Sequence, residues 1–174
     1  ATGGVGSLAV AILAKIGFKV TAVTGKLEET PYLESLGAAQ VIDRETLLKG
    51  NERPMLKPTW AGVVDCVGGD MLAAAIKSAR YDGVVTCCGL VGSIDLAVSV
   101  FPFILRGVRL VGIDSAECPM DRRTQVWQRL ASEWKLDNLT TMVDEITLDG
   151  LEEKVQSMLK GGLKRRGLVN LLDS

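Results

Sequence analysis

The chain begins with Ala1-Thr2-Gly3-Gly4-Val5-Gly6-Ser7, a glycine-rich stretch that is the strongest indication of its fold. Apolar residues follow it at three- and four-residue spacing as far as Ile16, which predicts a helix with one buried face. Gly17 ends this helix, and residues 19–24 predict a strand. A glycine-rich turn, a helix and a strand form the second half of a βαβ unit. Since that unit requires an apolar strand before Ala1, we expect the chain to be part of a longer protein with its first strand truncated.

The glycines of this turn have the spacing of a dinucleotide-binding motif. Aligned on the pattern G-x-G-x-x-G, the turn supplies Ala1, Gly3 and Gly6, with Gly4 in addition. Backbone amides at a helix N-terminus bind phosphate, and a side chain there would hold the phosphate away. We therefore expect Gly3 to allow phosphate to approach and Gly6 to allow close packing of the helix. Ala1 departs from the pattern, so a plain glycine-rich turn is the alternative interpretation.

The residues after the predicted strand indicate which dinucleotide binds. An NAD site places Asp or Glu about 20 residues beyond the glycines, where it binds the ribose 2′-hydroxyl. This chain has Thr24-Gly25-Lys26 there, and the next carboxylate is Glu28. A hydroxyl, a flexible turn and a cation suit a 2′-phosphate, so the sequence predicts NADP as the cofactor. The alternative is that Lys26 is a solvated loop residue.

Strands and helices alternate along the rest of the chain. Further strands are predicted at residues 40–42, 62–67, 83–88, 108–113 and 167–171. Helices are predicted at residues 30–37, 71–79 and 98–105, and two more begin at the potential caps Asp121 and Thr147. This alternation predicts an α/β fold over residues 1–174, a Rossmann-type doubly wound parallel sheet with strand order 3-2-1-4-5-6. The last strand is expected to fill the place of the truncated first strand, because its own partner is expected outside this chain.

Composition excludes several classes of function. The 174 residues are 47% hydrophobic with a net charge of -1, which argues against a basic nucleic-acid-binding face. No apolar run reaches the roughly 18 residues of a membrane span. The sequence contains no histidine, so a Ser-His-Asp triad and a His-ligated metal are excluded within it.

Cysteines and tryptophans are expected to be structural. Cys66, Cys87, Cys88 and Cys118 form no Cys-x-x-Cys pair, and the adjacent pair at 87 and 88 reads as part of a buried strand. This pattern predicts no metal or redox site and a reducing, cytoplasmic setting. The two tryptophans at 127 and 134 are expected in the core.

Several segments together resemble one known family. They are the glycine turn, Thr24-Gly25-Lys26, Trp60-Ala61-Gly62, Cys88-Gly89-Leu90, Phe101-Pro102-Phe103-Ile104-Leu105-Arg106-Gly107-Val108 and Gly112-Ile113-Asp114-Ser115. Over essentially its whole length the chain resembles the zinc-independent medium-chain dehydrogenases/reductases, in the branch of acrylyl-CoA reductases and quinone oxidoreductases. The resemblance implies NADPH-dependent reduction of an activated carbon–carbon double bond in an acrylyl thioester or a quinone-like acceptor.

The resemblance also implies which residues contact the cofactor. It places Thr2, Gly3, Gly4 and Val5 at the pyrophosphate, and Thr24, Gly25 and Lys26 at the 2′-phosphate. It places Arg44 at the adenosine end, and Leu90, Ile104 and Ser115 near the nicotinamide. Arg166 matches a further position on the cofactor side. Many relatives have arginine where this chain has Lys26, which lacks the two-pronged guanidinium. Leu90 and Ile104 also suit a core, and Ser115 suits an ordinary loop.

The resemblance also implies a further domain that this chain does not contain. Members of the family have an N-terminal barrel-like domain that supplies polar catalytic groups, and nothing in this chain corresponds to it. We therefore assign no catalytic residue and expect residues 1–174 alone to be inactive, with residues 164–174 as a return segment. In the family the edge strand, here Val108 to Ile113, pairs with its two-fold mate, which predicts a homodimer. A non-catalytic dinucleotide-sensing module is the alternative function.

Overall fold

The computed structural model of the chain describes residues 1–162 and 164–171, so residues 172–174 of the predicted return segment lie outside the described residues. The chain divides into two compact units. The first unit contains Ala1–Val41 and Gln125–Ser174, and the second contains residues 42–124.

The first unit is built around the helix that follows the glycine turn. Its elements are α1 (Gly4–Lys15), β1 (Val20–Thr24), a 3-10 turn (Leu27–Glu29), α2 (Thr30–Ser35), the start of β2 (Ala38–Asp43), most of α6 (Met120–Ala131), a second 3-10 turn (Leu139–Met142), β6 (Val143–Thr147), α7 (Leu151–Leu159) and β7 (Arg166–Asn170). The predicted end of α1 is confirmed, because Gly17 has a φ of +92°, which an L side chain rarely adopts. Buried apolar residues of α1, β1 and α2, among them Val10, Ala22 and Leu33, form one core cluster.

The second unit contains a three-stranded parallel sheet. Its elements are the end of β2, α3 (Arg44–Leu48), β3 (Trp60–Asp65), α4 (Gly69–Lys77), β4 (Ala79–Cys87), α5 (Phe101–Arg106), β5 (Arg109–Gly112) and the start of α6. The strand order is β3-β4-β5, and Val85 lies opposite Val63 on one side and Leu110 on the other. Ile76 of α4 packs with Val85 and Val108 in the core of this unit.

The observed strand neighbours agree with the predicted α/β fold. The predicted order 3-2-1-4-5-6 counts the truncated strand as strand 1, so β1 to β5 correspond to its strands 2 to 6. β1 pairs with β2, β3 pairs with β4, and β4 pairs with β5, as that order requires. Turns that follow the parallel strands lie at their carboxyl ends, where such folds bind ligands. No helix in the described part of the chain has the length and apolar character needed to cross a membrane.

Three expectations for the C-terminal third are wrong. Thr147 does not cap a helix, because it ends β6, and α7 begins after Gly150. The last strand has its partner within this chain, since β7 pairs in parallel with β6 from Val143–Arg166 to Thr147–Asn170. Asp121 lies inside the first turn of α6 and does not precede it.

The burial expected of some apolar residues is also wrong. Trp127 is 64% exposed, and α6 and α7 contain no buried residue. Trp134 is half-buried, with the Arg129 guanidinium 5.1 Å from its ring centroid. Cys88 is exposed although it follows a central strand, whereas Cys87 is half-buried.

Candidate cofactor-binding site

Gly3 leaves open space at the N-terminus of α1. It is the N-cap of this 12-residue helix, in an extended conformation with φ -77° and ψ 169° that any residue adopts. A Cβ atom added to Gly3 would meet no atom of the described chain within 4 Å. Neither the backbone conformation nor packing therefore requires glycine here. Free backbone amides and the positive end of the helix dipole face such a space, which suits a phosphate.

The next two glycines of the turn have different neighbours. A Cβ atom on Gly6 would lie 2.9 Å from the Cα and 3.0 Å from the carbonyl oxygen of Ala1, so the close packing expected at Gly6 is present. A Cβ atom on Gly4 would lie 2.8 Å from Nη2 and 3.0 Å from Nε of Arg166. The Arg166 guanidinium therefore lies against the turn, and its charge adds to the helix dipole in favouring an anion.

The backbone of the return segment is hydrogen-bonded to the turn. The N–H of Arg165 donates to the carbonyl oxygen of Thr2 at 2.9 Å, and Arg165 and Gly3 form a parallel bridge. Thr2 is buried. Thr2, Gly3, Gly4 and Arg166, four residues predicted to contact the cofactor, thus come together within the first unit, whereas Val5 is half-exposed on the first turn of α1.

The turn after β1 is shaped by a buried hydroxyl. Thr24 is 2% exposed, and its Oγ1 accepts a hydrogen bond from the N–H of Lys26 at 3.0 Å. This bond fixes the backbone of the turn, as Ser and Thr hydroxyls commonly do. Gly25 is exposed and Lys26 is partly exposed. Thr24 therefore orients the two residues that the sequence places at a 2′-phosphate.

The second unit has a cavity of about 360 Å³ beside α3 and α4. Arg44, the residue predicted at the adenosine end, lines this cavity together with Gly68 and Ser93. Arg44 is exposed, and its guanidinium has no hydrogen-bond or ion-pair partner among residues 1–162 and 164–171. It is free to bind a ligand.

The loops after β3 and β4 are held together by backbone contacts that the sequence analysis missed. The Asp65 carboxylate accepts hydrogen bonds from the N–H groups of Gly68 at 2.9 Å and Val67 at 3.2 Å. Burial raises the pKa of Asp65 above its ordinary value, although these two bonds act in the opposite direction. A Cβ atom on Gly68, which has a φ of +77°, would lie 2.6 Å from the Ser93 carbonyl oxygen, and one on Gly89 would collide with that of Cys66. Glycines that follow two adjacent strands were the available sequence signal.

Residues predicted near the nicotinamide are exposed in the second unit. Leu90 is 66% and Ile104 69% exposed, so the alternative that they are core residues is wrong. Ile104 belongs to α5, which Arg106 anchors through hydrogen bonds from its guanidinium to the carbonyl oxygens of Lys77, Ala79 and Leu56. Ser115 is exposed in the loop after β5, and its carbonyl oxygen accepts a hydrogen bond from Arg123.

Comparison with known families shows to which family the chain belongs. Residues 4–132 match the family model of the zinc-binding dehydrogenases, which is well over half of the chain. The chain belongs to this family.

Two named proteins have sequences similar to that of this chain. YhfP of Bacillus subtilis (strain 168), named as a quinone oxidoreductase, is 44% identical over 172 residues. The acrylyl-CoA reductase AcuI of Ruegeria pomeroyi is 43% identical over 171 residues. Each alignment covers 98% of this chain and 52% of the relative, so the chain spans about half the length of these proteins.

Solved structures of similar proteins contain nicotinamide cofactors. The YhdH oxidoreductase of Salmonella enterica, in complex with NADP, matches with a TM-score of 0.92 at 39% identity, over 98% of this chain and 52% of that one. B. subtilis YhfP, with NAD bound, matches with a TM-score of 0.92 at 43% identity and the same coverage. These matches confirm the predicted family and fold of the chain.

The metal that the family description names does not fit the described residues. The sequence contains no histidine, and residues 1–162 and 164–171 bring together no group of three or more Cys, Asp or Glu side chains able to hold a metal ion. No chemistry of this chain is therefore assigned to a metal.

Proposed function

We propose that this chain is the cofactor-binding part of an NADPH-dependent oxidoreductase that reduces an activated carbon–carbon double bond. The observation that carries the proposal is the turn before α1. Gly3 leaves open space there that no described residue fills, and Arg166 places a positive charge against Gly4. An anion is the ligand that both features favour. Relatives that are 39–43% identical and have NADP or NAD bound support a dinucleotide as the source of that anion.

Each part of the cofactor has residues in this chain that suit it. We assign the pyrophosphate to Thr2, Gly3, Gly4, Val5 and Arg166, the 2′-phosphate to Thr24, Gly25 and Lys26, the adenosine end to Arg44, and the nicotinamide to Leu90, Ile104 and Ser115. Within the first set, backbone amides and a guanidinium supply charge-assisted hydrogen bonds. At the nicotinamide, the exposed apolar side chains of Leu90 and Ile104 supply a surface for the ring. Since YhfP has NAD bound, the preference for NADP rests on Lys26.

The residues of this chain bind and orient the cofactor, and NADPH supplies the hydride when bound. We assign no catalytic residue among them. The relatives are about twice as long, which supports a further domain in the whole protein, with residues 1–174 as the NADP-binding domain and residues 164–174 as its return segment. We propose that this further domain supplies the catalytic groups and that residues 1–174 alone are inactive.

The named relatives support a substrate class for the proposal. An acrylyl-CoA reductase and a protein named as a quinone oxidoreductase both act on acceptors whose names imply a double bond conjugated to a carbonyl. We propose an acceptor of this kind, either an acrylyl thioester or a quinone-like compound. A purely sensory module gains no support from relatives named as reductases.

Three further properties belong to the proposal. The whole protein forms a homodimer through the edge strand from Val108 to Ile113, because within the described chain β5 pairs only with β4, and Val111 and Ile113 are exposed. The protein acts in the cytoplasm, on the sequence argument from its cysteines. Its reaction does not use zinc.

The test is a direct assay of the full-length protein. NADPH oxidation is followed by absorbance with acrylyl-CoA and with a benzoquinone as separate acceptors, and with each acceptor omitted as the control. The proposal predicts acceptor-dependent oxidation of NADPH. Tight NADPH binding without turnover on either acceptor would instead favour the sensory module.

A further inference from the structure

Arg165 has an unusual backbone conformation for an arginine. Its φ is +58°, and only one other non-glycine residue in the described part of the chain, Asp82, has a positive φ. An arginine rarely adopts this left-handed conformation unless its surroundings hold it. Backbone contacts surround this residue, since its N–H donates to the carbonyl oxygen of Thr2 and it bridges to Gly3.

Two groups hold the Arg165 side chain. Its Nη1 lies 3.3 Å from Oδ1 of Asp144, and its Cζ lies 5.2 Å from the centroid of the Tyr32 ring. Lys154 binds the other oxygen, Oδ2, of the same carboxylate at 2.9 Å. Asp144 is thus itself fixed in place, and its pKa lies below the ordinary value because the hydrogen bonds and charges of Lys154 and Arg165 outweigh partial burial, which acts to raise it.

Arg165 directly precedes Arg166, whose side chain reaches the glycine turn. The backbone N–H of Arg165 donates to Thr2, and the guanidinium of Arg166 lies against Gly4. A long arginine side chain loses considerable conformational freedom when it is held in one place. Arg166 begins β7 and lies opposite Val143 of β6, and the anchored Arg165 adds to this pairing in fixing the backbone from which the Arg166 side chain extends. A side chain that starts from a fixed backbone loses less freedom on binding an anion.

We propose that Arg165, held by Asp144 and Tyr32, is a positioning residue that keeps Arg166 at the phosphate-binding turn and so sets the affinity for NADPH. This inference rests on the proposed function, since it takes the turn to bind the pyrophosphate. Arg165 acts through Arg166 and does not itself touch the cofactor.

Asp144→Asn distinguishes positioning from plain electrostatics. Removal of a negative charge near a phosphate site strengthens anion binding if charge alone matters. Loss of the anchor instead weakens binding. We expect NADPH to bind Asp144→Asn about three- to tenfold more weakly than wild type. Glu145→Gln is the matched control, because Glu145 also lies on β6 but its Oε1 accepts from Asn170 at 2.8 Å.

The experiment is a double-mutant cycle in the full-length protein, with NADPH affinity measured by fluorescence titration. Arg166→Ala alone is expected to weaken binding about 10- to 150-fold, through loss of a charge-assisted hydrogen bond. In that background Asp144→Asn is expected to have no further effect. Glu145→Gln is expected to bind NADPH as tightly as wild type or more tightly.

Different failures separate this inference from the function on which it rests. An Asp144→Asn variant that binds NADPH as tightly as wild type overturns the inference, as does weakening that persists unchanged beside Arg166→Ala. Failure of the wild type to bind NADPH overturns the proposed function as well. If Asp144→Asn does not fold, Arg165→Gly takes its place in the same cycle, because glycine adopts a φ of +58° without strain.

Discussion

Gly3→Ala is predicted to weaken cofactor binding strongly with little change in stability. A Cβ atom at this position meets nothing in the described chain, and the φ of -77° suits alanine. Alanine is a poorer N-cap than glycine by about 1 kcal/mol. It also lowers the entropy of the unfolded chain, which stabilises the fold by about 0.4–1 kcal/mol. These effects offset each other, so the free energy of unfolding should stay within about 1 kcal/mol of wild type.

The effect on binding should be much larger. The added methyl group occupies the space assigned to the pyrophosphate, which prevents at least one charge-assisted hydrogen bond to a backbone amide. Such a bond contributes about 1.5–3 kcal/mol, which corresponds to a Kd for NADPH that is about 10- to 150-fold higher. Fluorescence titration of the full-length protein measures the Kd, and thermal unfolding without cofactor measures the stability.

Gly6→Ala is the matched comparison. Its Cβ atom would lie 2.9–3.1 Å from three backbone atoms of Ala1, which cannot move aside as the end of a side chain can. Overpacking of this kind costs about 1–3 kcal/mol, and better helix propensity offsets at most about 1 kcal/mol of it. Gly6→Ala should therefore lower the Tm. If Gly3→Ala bound NADPH like wild type while remaining folded, the turn would not be the phosphate site.

Three other predictions concern cofactor choice, pH dependence and assembly. Lys26→Asp should reverse a preference of the full-length protein for NADPH over NADH in parallel titrations, because a carboxylate repels the 2′-phosphate and binds the 2′-hydroxyl; equal wild-type affinities would contradict this assignment. Asp65→Asn should unfold at no lower temperature than wild type at pH 7, since burial raises the pKa of Asp65 and its charged form is disfavoured in the fold. The advantage of Asp65→Asn should grow as pH rises from the ordinary carboxyl pKa through the raised folded value, where the folded wild type binds more protons than the unfolded chain; a melting series at several pH values that showed the opposite trend would refute it. Val111→Lys should convert a dimer of the full-length protein into a monomer in light scattering, whereas a wild-type monomer at micromolar concentration would exclude pairing through Val108 to Ile113.

The elements around the turn were predictable because local signals there agree with one another. Helical periodicity, a glycine stop at Gly17 and the β-branched strand Val20–Thr24 all specify the same structure. Only resemblance to a family placed Arg166 on the cofactor side, and its contact with Gly4 was not predicted. More than 160 residues separate the two positions, and no local pattern reports such a contact.

β6 could not be predicted because its stability comes from partners distant in sequence. Its sequence, Val-Asp-Glu-Ile-Thr, has consecutive acidic residues where a buried strand would be apolar. In the structure Asp144 forms ion pairs with Lys154 and Arg165, and β7 supplies the backbone partners. The left-handed φ of Arg165 was equally unreadable, since an arginine gives no sequence signal for that conformation. Trp127 has the spacing of a core residue yet is exposed, because periodicity specifies a face of α6 and not what covers it.

A crystal structure of the full-length protein with NADPH would locate both phosphate groups of the cofactor. We expect pyrophosphate oxygens to accept hydrogen bonds from backbone amides at Gly4 and Val5 and from the Arg166 guanidinium, with the 2′-phosphate within hydrogen-bond distance of Lys26. A pyrophosphate bound away from the N-terminus of α1, or a 2′-phosphate directed away from Lys26, would contradict this expectation.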